Sequence, residues 1–185
     1  GTVSAVGEGV EGFRIGDRAG WADVRGSYAE RHAIPADRAV PIPDGLDSRT
    51  VAAVLLQGLT AHYLATDTFP LRQGDKCLIH AGAGGVGLLL TQIAKMLGAE
   101  VFTTVGSAEK AELSREAGSD HVIVYTQTDF KDEVEETAGA KPLDVVYDGV
   151  GADTFMSGLD LLRPRGMMVT FGNASGPPPE IAPLL

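Results

Sequence analysis

Three glycines near the middle of the chain have the spacing of a phosphate-binding turn. The pattern Gly82-x-Gly84-x-x-Gly87 follows the apolar segment 76–81 and opens a segment of helical periodicity. In a dinucleotide-binding turn the first glycine allows a tight bend. The second lets the backbone approach a pyrophosphate, and the third lets the helix pack on the strand. The alternative is a merely tight strand-to-helix turn. Free N–H groups at the helix start would face the phosphates, so the expected phosphate-binding residues are Gly82, Gly84, Gly85, Val86 and Gly87.

The residues after the next apolar segment indicate which dinucleotide is expected. An NAD site usually has Asp or Glu ~20 residues beyond the glycine motif, but residues 105–107 read Val-Gly-Ser. Ser107, after Gly106, can donate a hydrogen bond to a 2′-phosphate, and Lys110 adds a positive charge. Glu109 opposes this interpretation unless it faces solvent. We therefore predict NADP(H) as the cofactor.

Further candidates lie at the ends of later predicted strands. Tyr125 is expected beside the 2′-phosphate pocket. Both Tyr125 and Lys110 have simpler alternatives, as an edge residue at a strand end and as a solvated charge on a helix. Small residues remove side chains from the path of the nicotinamide end, which is expected over the fourth and fifth strands. Asn173 could bind the carboxamide or could simply hold a loop. The candidates on these two strands are Gly149, Val150, Phe171, Gly172 and Asn173.

Alternating strands and helices are predicted to position these residues. Strands followed by helices at this spacing form βαβ units, whose right-handed crossovers give one parallel sheet with helices on both faces. The expected fold class is therefore α/β, a Rossmann-type doubly wound parallel sheet. The predicted strands are 76–81, 101–105, 121–125, 143–148 and 166–171, and the predicted helices between them are 86–97, 108–117, 130–137 and 154–162.

The first 43 residues have a different sequence pattern, with short strand-like segments and frequent glycine. Strands over 2–7 and 26–35 are expected here, as part of a small β-barrel too small to be stable alone. Two helices, one from residue 47 or 48 through 59 and one over 62–66, are expected next. The predicted domains are 1–43, part of a barrel, and 44–185, a nucleotide-binding Rossmann domain.

Composition excludes several classes of protein. The chain has 185 residues, with 15 Lys and Arg against 25 Asp and Glu, a formal charge of −10, which argues against binding to nucleic acid. No segment is apolar for long enough to span a bilayer. The single cysteine, Cys77, fits a core position in a cytoplasmic protein. The four histidines lack the spacing of metal ligands, so no metal site is predicted.

Four segments resemble the quinone oxidoreductase (zeta-crystallin-like), zinc-independent branch of the medium-chain dehydrogenase/reductase superfamily: 57–61, 80–87, 146–151 and 171–173. The segments 1–7 and 16–18 resemble that family's GroES-like catalytic domain. The resemblance implies that Thr60 contacts the nicotinamide side and that Lys110 and Tyr125 bind the 2′-phosphate. It also implies that Phe171 and Gly172 border the nicotinamide.

The resemblance further implies NADPH-dependent, metal-independent reduction of quinones or activated enones by a homodimer. It implies that the chain is truncated at both ends, without the last strand and C-terminal segment of the Rossmann domain. No catalytic residue is named, because the acceptor-binding residues are expected upstream of Gly1. The alternatives are an enoyl reductase, a non-catalytic crystallin or RNA-binding relative, and a fragment that is inert by itself. The sequence does not name the acceptor.

Overall fold

A computed structural model of the chain describes residues 1–182; residues 183–185 of the predicted Rossmann domain lie outside the described residues. The chain separates into two compact units, residues 1–59 and the residues from 60 onward. The domain boundary predicted from the sequence lies between residues 43 and 44, earlier than the boundary between residues 59 and 60 in the structure.

The N-terminal unit contains two short antiparallel strands, β1 (Ala19–Trp21) and β2 (Ala39–Pro41). The strand expected over 2–7 is reduced to a single bridge between Thr2 and Arg18. The strand expected over 26–35 is wrong, since these residues form bends and irregular backbone before a 3₁₀ turn at 36–38. Gly26 has φ +108°, a left-handed conformation that interrupts an extended strand. Residues 1–59 form no closed barrel.

One helix, α1 (Ser48–Tyr63), replaces the two that the sequence predicts, and it continues into a π-helical turn over Leu64–Thr68. Asp47 caps its start by accepting hydrogen bonds from the N–H groups of Arg49 at 2.9 Å and Thr50 at 3.1 Å. A glycine inside a helix costs only about 1 kcal/mol. The complete burial of Leu64 and Ala65 outweighs that cost, so Gly58 does not end the helix.

The second unit is built on a parallel five-stranded sheet in the order β5-β4-β3-β6-β7. The strands are β3 (Lys76–Ile79), β4 (Glu100–Val105), β5 (His121–Val124), β6 (Leu143–Asp148) and β7 (Leu162–Thr170). From β3 the next strands, β4 and β5, are added on one side of the sheet, whereas β6 and β7 are added on the other side. The prediction of a doubly wound Rossmann-type sheet is confirmed.

Helices alternate with these strands: α2 (Gly85–Met96), α3 (Ala108–Glu116), α4 (Phe130–Ala138) and α5 (Phe155–Asp160). The helix expected over 154–162 ends earlier, because β7 already begins at Leu162 rather than at 166. Gly98 at φ +84° and Gly118 at φ +104° end α2 and α3, as glycine commonly does after a helix.

Alternate residues of the central strand point to opposite faces of the sheet. Cys77 and Ile79 pack in one apolar layer with Leu90 of α2, whereas Leu78 packs in a second layer with Val134 of α4. Cys77 is fully buried, and burial raises the pKa of its thiol. Both layers fix the carboxyl ends of the strands, where the candidate residues lie. Within residues 1–182, no helix has the length and hydropathy needed to cross a membrane.

Candidate functional site

A cleft of about 450 Å³ opens at the carboxyl ends of the strands in the second unit. It lies near the point where β3 and β6 are neighbours in the sheet, while the strands that follow them, β4 and β7, lie on opposite sides of this pair. Such a switch point is the usual position for a ligand in an open α/β sheet. Five of the candidate residues line it: Gly84, Gly106, Lys110, Tyr125 and Val150.

The glycine turn between β3 and α2 is too crowded for side chains at two of its positions. A Cβ atom on Gly82 would lie 2.5 Å from the Cβ of Thr103, and one on Gly87 would lie 2.4 Å from the carbonyl oxygen of Ala81. These two glycines are needed for packing. The first N–H groups of any α-helix have no partner within the helix, so Gly85, Val86 and Gly87 present theirs at the start of α2.

Gly84 differs from the other two glycines of the motif. It precedes α2 in an extended conformation, with φ −78° and ψ 169°, which any residue can adopt. A Cβ atom there would lie 3.1 Å from the carbonyl oxygen of Ala81, a tight but tolerable contact. Gly84 also lines the cleft, so its missing side chain widens this space.

The region proposed for a 2′-phosphate brings together four residues after β4 and β5. A Cβ atom on Gly106 would lie 2.8 Å from the hydroxyl of Tyr125, so glycine at this position makes room for the tyrosine. Ser107 caps the start of α3, where its hydroxyl accepts a hydrogen bond from the backbone N–H of Lys110 at 3.3 Å. Lys110 and Tyr125 both line the cleft, whereas Glu109 is exposed outside it.

The candidates after β6 and β7 form a second group, of which only Val150 reaches the cleft. A Cβ atom on Gly149 would lie 3.0 Å from the ring of Phe171, and one on Gly172 would lie 2.7 Å from the carbonyl oxygen of Gly149. Asn173 is exposed, and its carbonyl oxygen accepts the N–H of Gly176 at 2.9 Å. Thr60 is half-buried in α1 and does not line the cleft.

Sequence reasoning missed several residues of the cleft. Its lining also includes Ala81, Ala83, Thr104, Val105, Thr128, Asp129, Phe130, Asp153 and Thr154. Ala81 adopts φ +54°, a left-handed conformation uncommon outside glycine. Asp129 caps α4 and accepts the N–H of Lys131 at 2.8 Å. An aspartate just before a helical segment is a signal that could have identified this residue.

Two polar side chains are buried beneath the cleft. Asp148 at the end of β6 is 0% exposed, and His80, directly after β3, is 1% exposed. The Nδ1 atom of His80 lies 2.9 Å from the hydroxyl of Thr104, and its ring meets Phe130 edge-on at 5.0 Å. Burial lowers the pKa of His80 to about 4, although the charge of Asp148 acts to raise it. The imidazole is therefore neutral at pH 7.

The strand order and the glycine turn at the switch point define a Rossmann-type α/β domain. Residues 85–184 match the family model described as zinc-binding dehydrogenase. The chain belongs to this family.

The chain is 47% identical to the quinone oxidoreductase of Salmonella typhimurium strain LT2, over 96% of this chain and 54% of the relative. The solved structure of Escherichia coli quinone oxidoreductase complexed with NADPH is 43% identical, with a TM-score of 0.94. That match covers 98% of this chain and 56% of the solved one. A solved enoyl reductase is 32% identical over 93% of this chain and 52% of its own, with a TM-score of 0.84. The chain thus spans about half the length of these relatives.

Proposed function

We propose that the chain carries the cofactor-binding part of an NADPH-dependent reductase of quinones or activated enones. The observation that carries this proposal is the cleft that joins Gly84 and Gly106 to Lys110 and Tyr125, with no carboxylate among residues 105–107. Two carboxylates, Asp129 and Asp153, also line the cleft. They follow β5 and β6, not the second strand of the βαβ unit, where an NAD site places its acid.

The residues present fit NADPH. The space left by Gly84 and the N–H groups at the start of α2 suit a pyrophosphate, and the ammonium group of Lys110 suits a 2′-phosphate. NADPH, when bound, supplies a hydride to the acceptor. The chain's own residues bind and orient the cofactor. The proposed contacts are Gly82, Gly84, Gly85, Val86 and Gly87 for the pyrophosphate; Gly106, Ser107, Lys110 and Tyr125 for the 2′-phosphate; and Thr60, Gly149, Phe171, Gly172 and Asn173 for the nicotinamide side. Val150, which the sequence groups with the nicotinamide residues, lines the cleft together with Lys110 and Tyr125 and is proposed instead to contact the adenosine half.

The substitution Lys110→Glu tests the 2′-phosphate contact. The carboxylate would repel the phosphate, so we expect the preference for NADPH over NADH to fall at least about tenfold, since a charge-assisted hydrogen bond is replaced by repulsion. Dissociation constants for both nucleotides measure this ratio. The control is Lys141→Glu, because Lys141 lies in the turn before β6 and outside the cleft. An unchanged ratio in Lys110→Glu contradicts the proposal.

The proposed enzyme is metal-independent, cytoplasmic and homodimeric, and it acts on a small molecule without binding nucleic acid. Among residues 1–182, no three His, Cys, Asp or Glu side chains come together as a metal site, which supports the metal-free proposal. The charge of −10 supports the absence of a polyanionic partner. Elemental analysis of the purified protein tests the first point, and stoichiometric zinc would contradict it.

An enoyl reductase is the alternative function, favoured by the match to a solved enoyl reductase at 32% identity. Its acceptor is an α,β-unsaturated thioester rather than a quinone. NADPH oxidation by the protein with its natural flanking residues, measured with 1,4-benzoquinone and with crotonyl thioester, distinguishes the two. We expect faster turnover with the quinone, and turnover with the thioester alone would favour the alternative.

A further inference from the structure

Asp148 is a buried carboxylate whose hydrogen bonds lead to the cleft. A buried charge is costly unless hydrogen bonds compensate it. Its Oδ1 atom accepts three of them, from the N–H of Val150 at 2.7 Å, the N–H of Gly151 at 3.0 Å and the hydroxyl of Thr154 at 2.9 Å. One oxygen atom therefore holds the first two residues and the last residue of the turn that follows β6.

The same turn is held from its other side by the segment after β7. Ser175 donates to the carbonyl oxygen of Val150 through its N–H at 2.8 Å and through its hydroxyl at 3.0 Å. The hydroxyl of Ser175 also accepts the N–H of Asp153 at 3.1 Å. Residues 150–154, here called the β6 turn, are thus fixed from inside by Asp148 and from outside by Ser175.

The β6 turn is one wall of the cleft. Val150, Asp153 and Thr154 line the same space as Lys110 and Tyr125, the residues proposed to bind the 2′-phosphate. The adenosine half of the cofactor is the part of NADPH that carries this phosphate. The wall that contains Val150 and Thr154 therefore faces the adenosine half, which NADPH and NADH have in common apart from the phosphate.

We propose that Asp148 is a positioning residue for this wall. It does not line the cleft; it sets the places of Val150 and Thr154, which do. This inference rests on the proposed function. It assigns a specific role in nucleotide affinity to a fully buried carboxylate.

Asp144 offers a matched control on the same strand. Its carboxylate accepts the N–H of Lys76 at 2.8 Å and also accepts from Arg163. Like Asp148, it joins β6 to backbone and side-chain donors, but its bonds lie at the opposite end of the strand from the cleft. Loss of Asp144 removes a comparable set of hydrogen bonds without reaching the β6 turn.

The experiment measures dissociation constants of the whole chain for NADPH, NADH and adenosine 2′,5′-bisphosphate. For Asp148→Ala we expect about a tenfold loss for all three ligands, because three donors lose their acceptor. The ratio of NADPH to NADH affinity stays unchanged, since Lys110 is untouched. Asp148→Asn, which keeps an acceptor oxygen, restores most of the affinity. Asp144→Ala lowers the melting temperature but leaves the affinities unchanged.

Thr154→Val keeps the proposal testable if Asp148→Ala does not fold, because it removes only one donor. We expect about a threefold loss for all three ligands, with wild-type affinity in Thr154→Ser. Wild-type affinities in Asp148→Ala or Thr154→Val overturn the positioning role. An equal loss in Asp144→Ala, or a loss confined to NADPH, also overturns it. A wild-type chain that binds none of the ligands contradicts the proposed function instead, and the positioning role fails with it.

Discussion

Single residues of the glycine turn have two different tasks. Gly82 and Gly87 make room for neighbouring atoms of the protein, whereas Gly84 lines the cleft and is proposed to make room for the pyrophosphate. All three belong to one motif, and the sequence alone does not separate their roles. The distances from an added Cβ atom to its neighbours do separate them, because only Gly82 and Gly87 would be forced into a clash.

Substitution by alanine should separate these roles. We expect Gly87→Ala to lower the free energy of unfolding by more than about 2 kcal/mol, since overpacking a fixed backbone site is costly. Gly84→Ala should change it by less than about 1 kcal/mol, because the backbone is extended there, yet weaken NADPH binding about tenfold. Chemical denaturation and nucleotide titration measure both quantities. A Gly84→Ala variant that folds and binds NADPH normally would contradict the role of Gly84.

Among the elements, β3, β4 and α4 meet at His80. Its imidazole contacts Thr104 and Phe130 and is neutral because burial lowers its pKa from 6.5 to about 4. The unfolded chain then binds more protons than the folded chain between these two pH values. Stability is therefore retained above pH 6.5 and lost as the pH falls toward 4.

His80→Gln should remove this pH dependence. For the wild type we expect a loss on the order of 3 kcal/mol between pH 6.5 and pH 4 from this group, added to the losses from carboxylates. His80→Gln should be less stable at pH 7 but have a shallower slope below pH 6.5. Melting temperatures across this range measure the effect, with the exposed His62→Gln as the control. Parallel slopes for wild type and His80→Gln would refute the assignment.

The elements with strong periodic patterns could be predicted from the sequence, and the others could not. The strand 143–148 has the predicted bounds, because a short apolar run between polar residues is buried on both faces. The strand expected over 26–35 fails, because local alternation without a partner strand does not determine pairing. Gly58 favours a helix end in the sequence, but tertiary burial of the following turn decides otherwise.

The residues of the candidate site also fall into those that could be predicted from the sequence and those that could not. Lys110, Tyr125 and Val150 line the cleft, since each follows the end of a strand on one edge of the sheet, Lys110 in the first turn of α3. Asp148 and Thr154 escape sequence reasoning, because their bond depends on how the backbone turns after β6. Asp148 accepts hydrogen bonds from the N–H groups two and three residues after it. This is the pattern of an Asx turn, and it could have identified Asp148 from the sequence.

At the scale of the whole molecule, the cleft and the entire five-stranded sheet lie in the unit from residue 60 onward. We therefore expect nucleotide binding to be a property of this unit. The net charge of −10 opposes the approach of an anionic cofactor at long range. Lys110 and the start of α2 supply the local positive potential that binding needs.

The most direct test of the proposed function is calorimetric titration of the wild-type chain with NADPH and with NADH. We expect one NADPH to bind per chain, at least about tenfold more tightly than NADH, because a 2′-phosphate contact with Lys110 is a charge-assisted interaction. The difference should shrink as salt is added, since the ammonium group is exposed. No binding of NADPH, or equal affinity for the two nucleotides, would contradict the assignment of this cleft to NADPH.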